Sequence, residues 1–176
     1  MPPDSTTVIA IWQRGQSMKI SSRHHLRNDE IKALRERIHE NSGITLEADH
    51  FERVILDDSH VEIVLVDGAP NIATFNGEYF LTVTGANEYE PTKRRVTVDS
   101  GAISFVSDGA DVMRPGIVST DPSIEPDDLV YIDEETHRKV LGIGRALTSG
   151  DDMIGSAGKV VESIHHVGDE LFRFNP

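Results

Sequence analysis

The 176-residue chain has no cysteine, so disulfides, thiolate nucleophiles and cysteine-ligated metals are excluded. Aromatic residues make up only 6% of it, and a core has to be assembled mostly from Val, Ile, Leu and Ala. No apolar run approaches the roughly 20 residues that a membrane-spanning helix needs. The first residues also lack the basic flank and apolar stretch of a signal peptide. The default expectation is a soluble, cytoplasmic protein. Basic residues are scarce: 17 against 30 acidic ones, for a net charge of −13. In ordinary buffer such a charge repels polyanions at long range. It also fits adaptation to high salt, a halophilic source, where the Debye length contracts to about 3 Å at 1 M and a local patch can act despite the total.

The cations that exist are unevenly placed. Residues 1–95 carry 15 acidic and 11 basic side chains, and residues 96–176 carry 15 and 6. Within Lys19–His39, six cations (Lys19, Arg23, Arg27, Lys32, Arg35 and Arg37) meet three acids, Asp29, Glu30 and Glu36. Lys93-Arg94-Arg95 forms a second concentration.

Residues 1–17 read as a flexible extension or a misassigned start ahead of Met18, with Val8–Trp12 as an alternative edge strand. Spacing predicts a helix over Asp29–Glu40, capped by Asn28, with Ile31, Leu34 and Ile38 on one stripe. Residues 45–57 are ambiguous; Leu46, Phe51 and Ile55 could line a short second helix. "VEIVLVDG" reads as an alternating strand, and "PNIATFNGEYFLTV" as a hairpin turning at Asn76-Gly77. The polar "GANEYEPTKR" ends this first part. Beyond it, "RVTVD", "AISFVSDG", "DLVYID", "KVLGIGRALT", "KVVESIHHV" and "ELFRF" are short strand-like runs parted by glycines and acidic turns, the pattern of a small barrel or sandwich. The fold class expected is α+β, with a mixed domain over 18–92 and a β pseudobarrel over 93–176.

From Arg95 to the C-terminus the sequence resembles a PUA domain. The matching pieces are Gly101-Ala102, Gly109-Ala110, Pro115-Gly116, Asp127-Asp128 followed by Val130, and Gly142–Arg145. Asp127 departs from the pattern, standing where the family has a glycine. "MKISSRHHLRNDEIKALRERI" and "VEIVLVDGAPNIATFNGEYFLTV" resemble the pre-PUA domain of archaeal relatives of the malignant T-cell-amplified translation factor. That resemblance implies a non-catalytic RNA-binding protein of translation, contacting tRNA or small-subunit rRNA, with an initiation-factor-like protein as a further partner. It implies neither an enzyme nor a cofactor, and a monomer is the expected state. The competing reading is a protein-interaction adaptor whose barrel does not touch RNA. An adaptor should present an apolar patch; an RNA-binding surface should bring cations beside the small residues.

The candidate RNA-binding residues are Lys93, Arg94, Arg95, Gly101, Ala102, Gly109, Ala110, Arg114, Pro115, Gly116, Arg138, Lys139 and Arg145. "GADVMRPG" is expected to form about one helical turn whose uncovered start offers free N–H groups to an RNA backbone, with Arg114 reaching a phosphate or a base. Turn formation within a tight barrel would explain the same glycines. Arg138 and Lys139 belong to a tip between two strands, and Arg145 to the second of those strands; a solvated turn and a snorkelling arginine are the plainer account. Arg23, Arg27, Lys32, Arg35 and Arg37 form a secondary basic surface. The pairs His24-His25 and His165-His166 lack metal-ligand spacing, since neighbours on a strand point to opposite faces. The acidic pairs Asp57-Asp58, Asp127-Asp128 and Asp151-Asp152 read as surface coat.

Overall fold

The computed structural model describes residues 18–57, 61–75 and 77–176. The expected extension at 1–17, with its alternative strand at Val8–Trp12, lies outside them, as do Asn76 of the expected turn and Asp58. The chain divides into two compact units: the part up to Glu90 together with Asp169–Pro176, and Pro91–Gly168.

The first unit is an antiparallel meander with two helices. Its elements are β1 (Ile20–His25), α1 (Asn28–Ser42), β2 (Phe51–Leu56), β3 (Glu62–Val66), β4 (Ala69–Phe75), β5 (Glu78–Leu81) and α2 (Val83–Tyr89), and its strand order is β1-β2-β3-β4-β5. Helix α1 buries Leu34 and Ile38, while Ile31 is half-buried. Its N-cap is Arg27, one residue before the Asn28 expected for that role. The Glu30 carboxylate accepts the Arg27 N–H at 2.8 Å, so the third helical residue satisfies the first free donor and Asn28 is already helical. Gly43, at φ 74°, closes the helix with its N–H on the His39 carbonyl.

Residues 51–56 are a strand where a second helix was an option. Val54 and Leu56 are buried and Ile55 is exposed, a period of two, and β2 is paired on both sides. Strand β3 does not alternate: its last four residues are all buried, since both of its faces are covered. The Asp67-Gly68 step, read as the end of a strand, is a two-residue turn with φ of 49° and 88° between Val66 and Ala69. β4 and β5 pair in antiparallel register from Phe75–Glu78 to Ile72–Leu81. Helix α2 occupies what reads as a polar linker. Thr82 caps it by accepting the Gly85 N–H, and Gly85 lets the helix lie on β4, because a Cβ there would stand 2.1 Å from the Asn71 carbonyl oxygen.

The second unit is a mixed sheet curled into a near-barrel. Its elements are β6 (Arg95–Val98), a 3₁₀ turn (Ser100–Ala102), α3 (Ile103–Ser107), β7 (Val112–Met113), a 3₁₀ turn (Arg114–Gly116), β8 (Ile117–Thr120), β9 (Leu129–Glu134), β10 (Val140–Ala146), a 3₁₀ turn (Gly150–Asp152) and β11 (Lys159–His166). Strand order is β7-β11-β10-β9-β6-β8, antiparallel except for β6 beside β9. Its core is aliphatic, as a chain poor in aromatics requires: Val96, Val98, Val106, Ile117, Ile132 and Val161 are among its members. "AISFVSDG" is a turn and a helix, not the strand expected, because Asp99 caps the turn through its Oδ1 on the Ala102 N–H at 3.0 Å. "ELFRF" also departs from its strand-like reading. It contains α4 (Glu170–Arg173), capped by Asp169 on the Phe172 N–H at 2.9 Å, and it groups with the first unit.

Candidate nucleic-acid interface

Five of the six small candidate residues, Gly101, Ala102, Ala110, Pro115 and Gly116, converge on one groove of the second unit. β6 ends at Val98, and Asp99 turns the chain through Ser100–Ala102 into α3. After β7, the Arg114–Gly116 turn returns the chain to β8, which runs antiparallel to β6. The Asp99 N–H donates to the Gly116 carbonyl at 2.9 Å, locking the two turns side by side. A Cβ on Gly116 would stand 3.3 Å from that of Ala102, so the seam admits little bulk. The resulting cavity of about 440 Å³ is lined by Gly101, Ala102, Ala110, Pro115 and Gly116, by Phe105, Val106, Val112 and Met113, and by Asp99 and Asp111. Phe105 is 66% exposed and Met113 49%.

Gly109 has a different task. It does not line the groove, and its φ is 90°. A Cβ there would meet the His166 ring at 2.7 Å, and His166 Nδ1 lies 3.0 Å from the Ser107 carbonyl. The expected helical turn starting at Gly109 is absent. Gly109 and Ala110 donate their N–H groups to Val106 and Phe105 carbonyls at 3.0 and 2.9 Å, so neither is free for a ligand backbone. Residues 112–116 are a strand and a 3₁₀ turn.

The candidate cations scatter. Arg114 is aimed at the loop before β11: its Nε donates to the Asp152 carbonyl and its Nη1 to the Ala157 carbonyl, both at 2.9 Å. Arg145 is held between Asp127 and Glu162. Burial lowers its pKa, and the two carboxylates outweigh that and leave it above its ordinary value. Asp127 sits at φ 73°, which explains why a glycine suits this position in the family pattern. Arg95 and Arg138 share one carboxylate oxygen of fully buried Asp133, at 2.6 and 2.9 Å. Arg94 faces Asp128 at 3.8 Å and presents its N–H to Asp121. Lys93, Arg138 and Lys139 are exposed. The β9–β10 tip that carries Arg138 and Lys139 is tied by Glu134, which accepts N–H bonds from Thr136, His137 and Lys139. Burial pushes the Glu134 carboxyl up, but these donors prevail and hold it below the usual carboxylate range.

Lys159 is the cation that the sequence reading passed over. It pairs with Met113 across β7–β11, and its Nζ lies 3.4 Å from Asp111 at the groove. Phe105, strand-like by its sequence, stands on α3 and joins the groove, a role that its sequence context does not signal. In the first unit, the secondary basic surface is broken up. Arg23 pairs with Glu52, Arg27 with Asp29 and Glu30, and Arg37 with Glu40. Arg35 donates to the Leu46 and Ala48 carbonyls and lies 5.3 Å over the Phe51 ring. Lys32 stands with Arg35 beside a shallow cavity next to α1. Among the described residues, no cluster of His, Asp and Glu has metal-binding geometry.

The family model described as PUA domain matches residues 94–168. A Methanocaldococcus jannaschii protein is 35% identical over 89% of this chain and 99% of its own length. Translation machinery-associated protein 20 of Eremothecium gossypii is 33% identical over 56% of this chain and 58% of its own. Malignant T-cell-amplified sequence 1-A of Xenopus laevis is 30% identical over 68% and 69%. A solved structure of a conserved PUA domain protein from Thermoplasma acidophilum superposes with a TM-score of 0.78 at 28% identity, over 88% of this chain and all of that one. The chain therefore belongs to the family of PUA-domain proteins that includes archaeal members and the malignant T-cell-amplified sequence 1 proteins.

Proposed function

We propose that this protein binds RNA in the cytoplasm as a non-catalytic factor of translation, and that its groove seats a single-stranded RNA end. The observation that carries the reading is a floor of glycine and alanine beside an exposed aromatic ring. Small residues let a sugar-phosphate backbone come close, and Phe105 and Met113 offer apolar faces to a base. Lys159 at the rim supplies a charge for phosphate, and Lys93, Arg138 and Lys139 provide contacts for more distant phosphates. The name of the Eremothecium relative supports the link to translation. The RNA end proposed is the CCA terminus of tRNA, with small-subunit rRNA as the other target, and an initiation-factor-like protein as a partner.

One observation favours the adaptor reading. The groove is mostly apolar, exposes Phe105 and Met113, and carries Asp99 and Asp111. A fluorescence titration of deacylated tRNA, with and without its terminal CCA, separates the two across a salt series that starts at molar concentration. Intact tRNA is expected to bind more tightly, and Phe105→Ala to weaken it about tenfold, the worth of one stacked base. Equal affinity for both RNAs excludes the end seat. Absence of binding to tRNA and to small ribosomal subunits at every salt concentration hands the groove to a protein ligand.

A further inference from the structure

The two edges of the first unit's sheet are finished differently. Edge strand β5 is guarded: Asn41, near the end of α1, donates from Nδ2 to the Tyr79 carbonyl at 2.9 Å, and Phe80 and Leu81 are buried. Edge strand β1 pairs with β2 alone, and five of its six residues are exposed. In an antiparallel pair, alternate residues turn their N–H and C=O groups away from the partner strand. The outer side of β1 therefore carries a row of main-chain donors and acceptors to which no described strand is paired, the arrangement that accepts an added strand.

Charge selects the occupant. From Lys19 to Arg27 the chain carries Lys19, Arg23 and Arg27 with two histidines and no acid, within a protein of net charge −13; Arg23 is engaged by Glu52 of β2, so Lys19 and Arg27 are the charges offered to an incoming strand. Arg27 remains 75% exposed although Asp29 and Glu30 lie 3.5 and 3.7 Å away, and Lys19 is exposed. A second copy joined edge to edge would set these cations against themselves. RNA matches the charge but has no extended row of amides to continue the ladder. Ile20 and Ile55, 39% and 37% exposed, stand at the same end of the β1–β2 pair and give an apolar foothold. We propose that β1 docks an extended, acidic segment of another polypeptide as a sixth strand, an interaction independent of the RNA groove.

The test uses the full chain and a fluorescein-labelled peptide of alternating Val and Glu. A Val/Lys peptide of equal length and single-stranded oligouridine serve as controls, and amide exchange is followed by NMR. The Val/Glu peptide is expected to saturate and to protect the β1 amides, while Val/Lys does not bind. Lys19→Glu and Arg27→Glu, each folded by circular dichroism, are expected to weaken binding about tenfold. The proposal is overturned by failure of Val/Glu to bind below millimolar concentration, by binding that survives both charge reversals, or by protection outside β1. Displacement by oligouridine with perturbed β1 amides overturns it in favour of a nucleic-acid surface.

Discussion

Gly109 and Glu134 are the residues on which the second unit's local geometry turns. At Gly109 a side chain meets both a left-handed backbone and the His166 ring. Gly109→Ala is expected to cost about 1–3 kcal/mol in urea denaturation. Gly101 differs: its Cβ position lies 3.4 Å from the Asp99 carboxylate, so an alanine there adds bulk at the groove and leaves stability near wild type. Glu134 gives a pH signature. Its folded pKa lies below its unfolded value, so its contribution is fully present above the ordinary carboxylate pKa and is lost as pH falls through the lowered one. Glu134→Gln is expected to lower the thermal midpoint at neutral pH, and the gap from wild type should close in acid. A gap that persists in acid would show that these three N–H bonds do not hold the tip.

At the scale of elements, Arg114 acts as a strut for the loop between the Gly150–Asp152 turn and β11. Its two carbonyl contacts, and the close approach of Gly155 and Gly158 to its side chain, fix the path that delivers Lys159 to the groove. Arg114→Ala is expected to speed amide exchange over residues 154–158 while β9 and β10 stay protected. Groove affinity should fall with it although no ligand contact is removed. The same scale shows what could be read from sequence. α1 was legible because Leu34 and Ile38 mark one helical face, and the second unit's sheet because β9, β10 and β11 are dense in branched residues. α2, α3 and α4 were not: they run four to seven residues, too short for a periodic stripe, and each starts at or just beyond a capped turn, at Thr82, Asp99 and Asp169. Phe51 and Ile55, four apart, imitate a helix, and only the pairing of β2 on both sides decides for a strand. Within the groove the small residues were legible by type. The aim of each arginine was not, because it depends on distant carbonyls and carboxylates brought close by the fold.

For the whole molecule, the charge of −13 sets the response to solvent. Most described arginines are already paired with carboxylates or carbonyls, so the remaining acids repel one another. Their repulsion weakens as added salt shortens the screening length. If the chain is adapted to salt, its thermal midpoint should rise steadily from millimolar to molar NaCl, and the rise should be smaller in a variant with several exposed acids replaced by glutamine. A flat midpoint across that range would remove the halophilic reading and leave long-range repulsion of RNA in force. The order of the two sheets has its own consequence. In the first unit every strand neighbours its successor in the chain, and from β2 through β5 the loop closures are short. In the second, β6 finds β9 in parallel register, Arg95 beside Tyr131, only after the whole β7–β8 excursion has been gathered in. Closing that long loop is an entropic barrier which the β2–β5 part of the meander never faces. In refolding from denaturant, amides of β3 and β4 should therefore become protected before those of β6 and β9, and the small-residue groove, which is built on the turn leaving β6, should be the last surface to take shape.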